Sequence, residues 1–424
     1  MLRHPLLARS RWFRLTRRGW GVLVVAVLVA AAAVVTDRRE GFVVAVFLVT
    51  LLVVAAVSVQ VRRARLSVAR RTPSDLLAVG ERTDVVLDVR TESWDPSITR
   101  WRDRVPASFG EPPEGLADEL AEASVAGVVR ATYSIRPERR GEFPLGPLVV
   151  TREDPFGLVE AERSSDARNA VIVTPSVFPL VRSDLVQASG EGARHEHRMS
   201  NHPRVDELIA REYRSGDPMR RIHWRATARR GELMVRQEEQ EIDPAVVLLF
   251  DTATASDGSR TASDAVFEHL VDLAASISTH VLAGGFRLTL VESVPRGTAL
   301  SERFEPAQAA DVLRRLALVT PTRPSTDAPD VAVVSREVLD RVGAPVPFVV
   351  LLAEIGVATA RRLAPLVRLA DPAIAFVPPG DGSVEGAGLL RAAGWIVGVA
   401  DPRQAVPDIW NATVLVDRGE AGVR

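Results

Sequence analysis

The residues best suited to chemistry are concentrated in one segment, residues 211–241. The segment is dense in arginine, carries the aromatic residues Tyr213 and Trp224, and turns at residues 216–218, Gly-Asp-Pro. Arginine forks bind carboxylates and phosphates alike, so this segment is suited to docking an acidic partner or anionic lipid headgroups. Acidic residues within it can also pair with the same arginines, which would cross-link the segment internally.

The local pattern of this segment predicts how its side chains are arranged. Residues 220–224 alternate polar and apolar types, which predicts that Trp224 packs inward while Arg221 and His223 face elsewhere. A short helix is then expected to lead into a strand. The candidates for a partner-binding or structural role are Arg211, Tyr213, Gly216, Asp217, Arg221, His223, Trp224, Thr227 and Arg229.

Asp251 follows an apolar run, residues 244–250, and α/β sheets collect functional groups at such strand ends. The position resembles the start of the Asp-x-Ser-x-Ser motif with which von Willebrand factor A domains hold a divalent cation. Here the second and fourth residues after the aspartate are Ala253 and Ala255, so two oxygen ligands are missing. We therefore expect no divalent cation and no other cofactor, and we expect Asp251 to cap the following turn or to pair with an arginine.

Several enzyme classes lack their residues in this chain. It contains no lysine and no cysteine, which excludes Schiff-base chemistry, thiol nucleophiles and thiolate metal sites. Glycine-rich phosphate loops, Gly-x-Ser-x-Gly and His-Glu-x-x-His are absent from the sequence. The net charge of -1 gives no general attraction to nucleic acid. We expect a non-enzymatic protein; the alternative is an envelope-related hydrolase in which Asp217, His223 and Asp251 converge.

Two apolar runs near the N-terminus predict a transmembrane hairpin over residues 19–61, each run being long enough to cross a bilayer. The arm of residues 1–18 and the residues after 61 are rich in arginine, whereas the turn between the runs is neutral. The positive-inside rule then predicts two spans in the inner membrane, with both termini and the soluble domains in the cytoplasm. A cleaved signal peptide is the competing interpretation of the first run.

The rest of the chain changes its periodicity twice. Residues 66–180 show short runs of alternating β-branched residues, which predict an antiparallel β-sandwich. Residues 181–205 have a composition typical of a flexible linker, and residues 206–243 hold the polar segment described above. Continuous apolar strands alternate with helical patterns over 244–424, which predicts a mostly parallel α/β sheet and includes a last strand at 414–416.

The polar segment also carries a family resemblance. Its residue order resembles the signature of domain-of-unknown-function family 58 (DUF58), with Thr227 where that family usually has serine. Tyr133 and the turns at 139–141, 145–147 and 154–158 resemble the family too, as do the two N-terminal spans and a von Willebrand A-like, Rossmann-like end. The residues that carry the match are Arg211-x-Tyr213-x-x-Gly216-Asp217, Arg221-x-His223-Trp224 and Thr227-Ala228-Arg229.

The resemblance implies a function of docking rather than catalysis. Members are typically encoded beside MoxR-type AAA+ ATPases, often with transglutaminase-like membrane proteins, and no enzymatic activity is established for them. It therefore implies a membrane-bound assembly factor in a chaperone-like or cell-envelope system. A MoxR-type ATPase, a transglutaminase-like membrane protein and the lipid bilayer are the implied partners.

Overall fold

The computed structural model describes most of the chain in ranges that are separated by gaps. These ranges are 13–61, 67–90, 98–116, 128–182, 210–213, 219, 222, 224–236, 245–253, 260–294, 301–322, 330–342 and 345–415. The basic arm before residue 13 and the predicted linker from residue 183 onward lie outside them. The chain divides into two compact units, Met1–Ser176 with Leu313–Leu318, and Val177–Val312 with Val319–Arg424.

The first unit begins with two long helices, α1 (Arg17–Thr36) and α2 (Arg39–Val61). Both predicted apolar segments are helical, and each helix begins two residues before its apolar run. Asp37 adopts a left-handed conformation with φ of 49°, which ends α1 and lets α2 start after only one further residue. Both helices are long and apolar enough to cross a membrane, with mean hydropathies of 2.4 and 3.0.

Eleven strands of the first unit lie within the described residues, and all but one of their pairings are antiparallel. The exception is the parallel pair β3–β11, which the antiparallel prediction did not include. The sheets have the orders β1-β10-β9-β5-β6, β3-β11-β8 and β2-β4-β7. The strands are β1 (Arg14–Leu15), β2 (Ser67–Arg71), β3 (Leu76–Ala78), β4 (Thr83–Arg90), β5 (Ile98–Asp103), β6 (Glu114–Leu116), β7 (Val128–Ile135), β8 (Gly141–Leu145), β9 (Leu148–Glu153), β10 (Val159–Ser164) and β11 (Asn169–Thr174).

One apolar core serves all three sheets, because alternate residues of their strands turn toward it. Leu87 of β4, Trp101 of β5, Leu145 of β8 and Val173 of β11 all belong to this cluster. β1 lies within residues 1–18, where the sequence predicted a basic arm, and β6 lies at the opposite edge of the same sheet.

A buried polar network also ties strands of different sheets together. The Asp103 carboxylate in β5 accepts hydrogen bonds from Arg70 Nε at 2.7 Å and from Arg70 Nη2 at 2.6 Å. The Tyr133 hydroxyl in β7 donates to the same carboxylate at 2.7 Å. All three residues are buried. Since Arg70 and Tyr133 belong to one sheet and Asp103 to another, the network fixes how these two sheets pack.

The second unit alternates strands and helices. Its described elements are β12 (Ala210–Glu212), α3 (Trp224–Arg230), β13 (Met234–Arg236), β14 (Ala245–Phe250), α4 (Arg260–Ala283), β15 (Arg287–Glu292), β16 (Ser301–Phe304), the start of α5 (Ala309–Ala317, of which the residues from Leu313 belong to the first unit), α6 (Val331–Val342), β17 (Val346–Leu351), α7 (Val357–Leu363), a 3-10 helix (Ala364–Leu369), β18 (Ala370–Val377), α8 (Asp381–Ala392), β19 (Ile396–Val399) and α9 (Val406–Leu415).

Six of these strands form one sheet in the order β16-β15-β14-β17-β18-β19, parallel except for the edge strand β16. Alternate residues of β14 face opposite layers: Val247 joins a core with Val334 of α6, and the Phe250 ring lies 5.2 Å from the Phe267 ring of α4. Helices therefore cover both faces, which explains the continuous apolar strands. The chain runs from β14 to β15 on one side and later returns to β17 on the other.

Two features of this sheet differ from the sequence prediction. The strand expected at 414–416 is wrong for its described part, because residues 414 and 415 end α9, whose Trp410 stacks on Phe376 with ring centroids 6.3 Å apart. β16 was not predicted, since its sequence Ser-Glu-Arg-Phe is polar and lies at an edge where one-sided exposure is tolerated.

Candidate functional site

In the described part of the arginine-rich segment, a helix lies in sequence between two paired strands. β12 and β13 pair antiparallel, with Arg211 opposite Val235. The Tyr213 N–H extends this pairing by donating to the Leu233 carbonyl at 2.8 Å. Four of the nine candidate residues, Gly216, Asp217, Arg221 and His223, lie outside the described residues.

Thr227 fixes helix α3 to the strand that follows. Its hydroxyl oxygen accepts a hydrogen bond from the Met234 N–H at 3.0 Å, and its carbonyl accepts one from the Gly231 N–H at 2.8 Å. Met234 and Val235 are buried, and Ile222 is buried and bridges to Val235. A serine hydroxyl could accept the same bond, so threonine at this position keeps the hydroxyl group.

Several side chains of α3 are exposed. Trp224 has 67% of its surface accessible, and Arg229 and Arg230 are exposed as well. The prediction that Trp224 packs inward is therefore wrong. The alternation from residue 220 buries Ile222 but ends there, because Trp224 is the first residue of a helix and no longer follows a two-residue period. The rigid part of the segment thus presents a tryptophan and two arginines to its surroundings.

The second candidate position, Asp251, lies where β14 ends between β15 and β17. Its carboxylate accepts the Ser293 hydroxyl at 2.6 Å and the Ala253 N–H at 3.1 Å. The second bond spans two residues and caps the turn after the strand, as expected from the sequence. Ser293 follows β15 and also accepts the Thr252 N–H at 3.0 Å, so the two strand ends are locked together.

Burial raises the pKa of Asp251, and the negative charges of Asp330 and Glu354 add to this effect, while the bonds from Ser293 and Ala253 oppose it. Asp330 precedes α6 and Glu354 follows β17. Together with Asp251 after β14, three connections therefore place a carboxyl near the carboxyl ends of the parallel strands. Within the described ranges, no set of three acidic or histidine side chains is placed to hold a metal ion.

The arrangement around Asp251 is well suited to joining strand ends. Ser293, the described hydroxyl that bonds to Asp251, is engaged in two hydrogen bonds, and Thr252 donates its own hydroxyl to the Val294 carbonyl at 3.2 Å. Sequence reasoning identified Asp251 but not Ser293, because 42 residues separate them. The hydrolase alternative also needs Asp217 and His223, which lie outside the described residues, and so it stays a prediction.

A curated relative is similar to part of this chain. The uncharacterized protein YeaD of Bacillus subtilis (strain 168) is 29% identical over 159 residues, and the match covers 36% of this chain and 36% of that relative. The chain therefore spans only about a third of the length of the curated relative it matches.

Two solved structures show weak likeness. The CARDB domain of the PF1109 protein from Pyrococcus furiosus is 15% identical with a TM-score of 0.18, covering 26% of this chain and 88% of its own. Cwp6 from Clostridium difficile is 8% identical with a TM-score of 0.17, covering 82% and 56%. Neither score supports a common fold.

The family model described as "Protein of unknown function DUF58" matches residues 209–355. This range contains all nine candidate residues of the signature segment together with Asp251. The similarity to DUF58 thus spans the signature segment and continues into the α/β unit.

Proposed function

We propose that this chain is a membrane-anchored docking protein whose signature segment binds a partner protein. The observation that carries the proposal is the exposed Trp224 on helix α3, which Thr227 bonds to the strand that follows. A buried tryptophan stabilises a fold, whereas an exposed one leaves a large apolar surface in water. Tryptophan and arginine are also the residues most enriched among those that dominate binding energy at protein interfaces.

The membrane anchor is supported by how little of α1 and α2 is covered. Only 17% and 22% of their most apolar windows are buried, whereas a core helix of a soluble protein is mostly buried. Arginines before α1 and after α2, against a neutral turn between them, favour a cytoplasmic location for both ends under the positive-inside rule. We assign the protein to the inner membrane with its soluble units in the cytoplasm.

We further propose that the second unit is von Willebrand A-like. Renumbered from β14, its strand order is 3-2-1-4-5-6 with the third strand antiparallel. Doubly wound sheets of this order bind ligands where the order reverses, which is the edge that Asp251 occupies. Here the Ser293 hydroxyl bonds to Asp251 and to the Thr252 N–H at the carboxyl ends of these strands. We therefore assign docking to the signature segment instead.

A MoxR-type AAA+ ATPase is the partner we propose, on the strength of the family resemblance. The surface around Trp224 suits a partner that offers an apolar pocket bordered by carboxylates, because Arg229 and Arg230 stand on the same short helix. A transglutaminase-like membrane protein is a further proposed member of the assembly. The net charge of -1 provides no reason to propose nucleic acid.

The test is co-purification of the full-length protein, in detergent, with the MoxR-type ATPase of the same organism under ATP, ADP and nucleotide-free conditions. Trp224→Ala should weaken the complex by about 30-fold, since a central tryptophan commonly contributes ~2 kcal/mol or more. Arg229→Glu should weaken it by about tenfold and make it less sensitive to salt.

Matched controls exist in the same unit. Arg361→Glu reverses an exposed arginine in the last turn of α7, a helix of the same length as α3. Val384→Ala truncates an apolar side chain that is 66% exposed on α8. Both controls should bind as the parent does. Absence of any complex in all three nucleotide conditions, or equal binding by all variants, would refute the assigned docking surface.

A further inference from the structure

The turn between β9 and β10, residues 154–158, forms a rigid corner that we call the Asp154 corner. Its sequence Asp-Pro-Phe-Gly is favoured at the four positions of a type I turn, and the Gly157 N–H donates to the Asp154 carbonyl at 3.0 Å. The buried Asp154 carboxylate accepts the N–H groups of Phe156 at 2.9 Å and of Leu158 and Val159 at 2.6 Å each. The corner therefore has little backbone freedom.

The Asp154 corner is joined to the start of helix α1. The Thr16 hydroxyl donates to the Gly157 carbonyl at 2.6 Å, and the Thr16 N–H donates to the Leu158 carbonyl at 3.0 Å. Thr16 also caps α1 by accepting the Gly19 N–H at 3.1 Å. Because one residue bonds both the helix and the corner, the corner is fixed relative to the helix axis.

Apolar packing strengthens this junction. Leu158 and Val159 form a cluster with Leu52 and Ala55 in the second half of α2. Within the first unit, the start of α1 and the second half of α2 are therefore both attached to the chain at residues 158–159.

The length of α1 sets the depth of the corner in a bilayer. Its 20 residues rise ~30 Å at ~1.5 Å per residue, which equals the thickness of a typical hydrocarbon core. If α1 spans the bilayer, Arg17 and Thr36 lie at its two boundaries. The Asp154 corner, bonded to Thr16, then lies among the lipid headgroups.

The side chains exposed at this depth are aromatic and basic, which are types suited to the headgroup layer. Phe156 at the corner is 57% exposed, and Phe13 and Trp20 beside the start of α1 are 42% and 58% exposed. Arg14 and Arg17 are exposed in the same short stretch. Tryptophan concentrates at membrane interfaces, and phenylalanine is among the residues that membrane-surface segments bury at the boundary between headgroups and acyl chains. Arginines are attracted to the phosphates of an anionic leaflet.

We propose that the Asp154 corner is a lipid-contact site, in which Phe156 inserts at the boundary between headgroups and acyl chains of an anionic leaflet. Arg14 and Arg17 bind the phosphates of the same lipids, and Asp154 is a positioning residue that holds the corner in shape. The proposal rests on the membrane anchoring proposed above. Its consequence is that the β-strand part of the first unit is held against the membrane surface.

The absence of cysteine from the sequence makes a direct test possible, since Phe156→Cys introduces a single labelling site. Leu116→Cys is the matched control: Leu116 is 54% exposed and belongs to β6, at the edge of the same sheet opposite to β1. Phe156 is bonded to Asp154 through its backbone, so replacing its ring leaves the corner intact. Each full-length variant is labelled with a polarity-sensitive fluorophore and reconstituted into vesicles of phosphatidylcholine and phosphatidylglycerol.

A quencher attached to the lipid just below the headgroup should reduce the emission of the label at position 156 at least threefold more than at position 116. Equal quenching at the two positions would overturn the proposal. The preference for anionic lipid is tested by omitting phosphatidylglycerol, which should reduce quenching at position 156 about twofold. Unchanged quenching would refute the role of the two arginines.

Carbonate extraction of the same vesicles separates this proposal from the membrane anchoring on which it rests. A protein released by carbonate contradicts anchoring itself. A protein that carbonate leaves in the membrane, with an unquenched label at position 156, contradicts only the lipid-contact site.

Discussion

Gly19 offers the sharpest perturbation of the junction between helix α1 and the Asp154 corner. A Cβ added at this position would lie 2.1 Å from the Leu158 carbonyl oxygen, which is a backbone atom and cannot rotate away. A Cβ added at Gly21, two residues further along the same helix, would meet nothing within 4 Å. Gly19→Ala and Gly21→Ala are therefore a matched pair that differs in this contact.

The difference in local stability between the two variants follows from the bonds at the junction. Both gain up to ~1 kcal/mol of helix propensity on replacing glycine by alanine, and this gain cancels in the comparison. Only Gly19→Ala forces α1 away from the corner, which breaks the two bonds from Thr16 to Gly157 and Leu158. At ~0.5–1.5 kcal/mol for each bond, the junction loses about 1–3 kcal/mol.

Hydrogen–deuterium exchange of the full chain in nanodiscs, followed by mass spectrometry of its peptides, measures this loss. A reduction of ~2 kcal/mol in the free energy of local opening accelerates exchange by about 30-fold. The acceleration is expected at the Thr16 amide, which donates across the junction. Peptides from β4, which lies elsewhere in the first unit, should exchange at the parent rate and serve as an internal reference.

The result that would refute this reasoning is equal exchange in the two variants. It would mean that α1 is not held against the Leu158 carbonyl in the membrane-bound protein. The depth assigned to the Asp154 corner would then lose its support, because that depth was derived from this attachment.

Two further predictions concern buried carboxyls. Asp103→Asn should lower the free energy of unfolding by about 3–5 kcal/mol, because it leaves the Arg70 guanidinium buried without its charge partner. Tyr133→Phe removes one bond to the same carboxylate and should lower the free energy of unfolding by only about 1.5–3 kcal/mol. Pulse proteolysis of both variants measures these losses. The raised pKa of Asp251 means that the folded state holds this proton more tightly than the unfolded state, so its stabilising contribution is lost as pH rises from about 4 through the folded pKa. Asp251→Asn should therefore become progressively more stable than the parent as pH rises across this window in thermal melts, and a constant difference would contradict the raised pKa.

The parts of the fold that were predictable are those governed by short periods. Continuous apolar runs predicted the helices α1 and α2, which are apolar enough to cross a membrane. Such runs also predicted the parallel strands, because helices on both faces of the sheet leave no polar residue to interrupt them. The strand predicted at 414–416 was wrong because a short apolar run has the same sequence pattern in a buried strand and in the last turn of a buried helix. Only the packing of Trp410 on Phe376 distinguishes the two.

The contacts that position the sites depend on register and topology, which local patterns do not contain. Ser293 reaches Asp251 because β15 lies beside β14, and Asp103 meets Tyr133 because two sheets share a core. The sequence shows that these residues are polar and lie at strand ends or within strands. It does not show which of them will be opposite each other after folding.

The exposed aromatic side chains of Trp224 and Phe156 stand on backbone that hydrogen bonds already hold in place. An aromatic ring on an unrestrained loop would pay for ordering its backbone on binding, at ~1–2 kcal/mol per residue. Trp224 stands on a helix that Thr227 bonds to the next strand, and Phe156 stands on a turn that the Asp154 carboxylate holds at three amides. Their ordering is complete before any partner arrives, so more of the contact energy remains for binding. Asp251 differs from these aromatic residues, because it is buried, its hydrogen bonds go to neighbouring protein groups, and burial disfavours the charged form of its carboxyl. This contrast favours contact surfaces over catalysis at the positions that the structure describes.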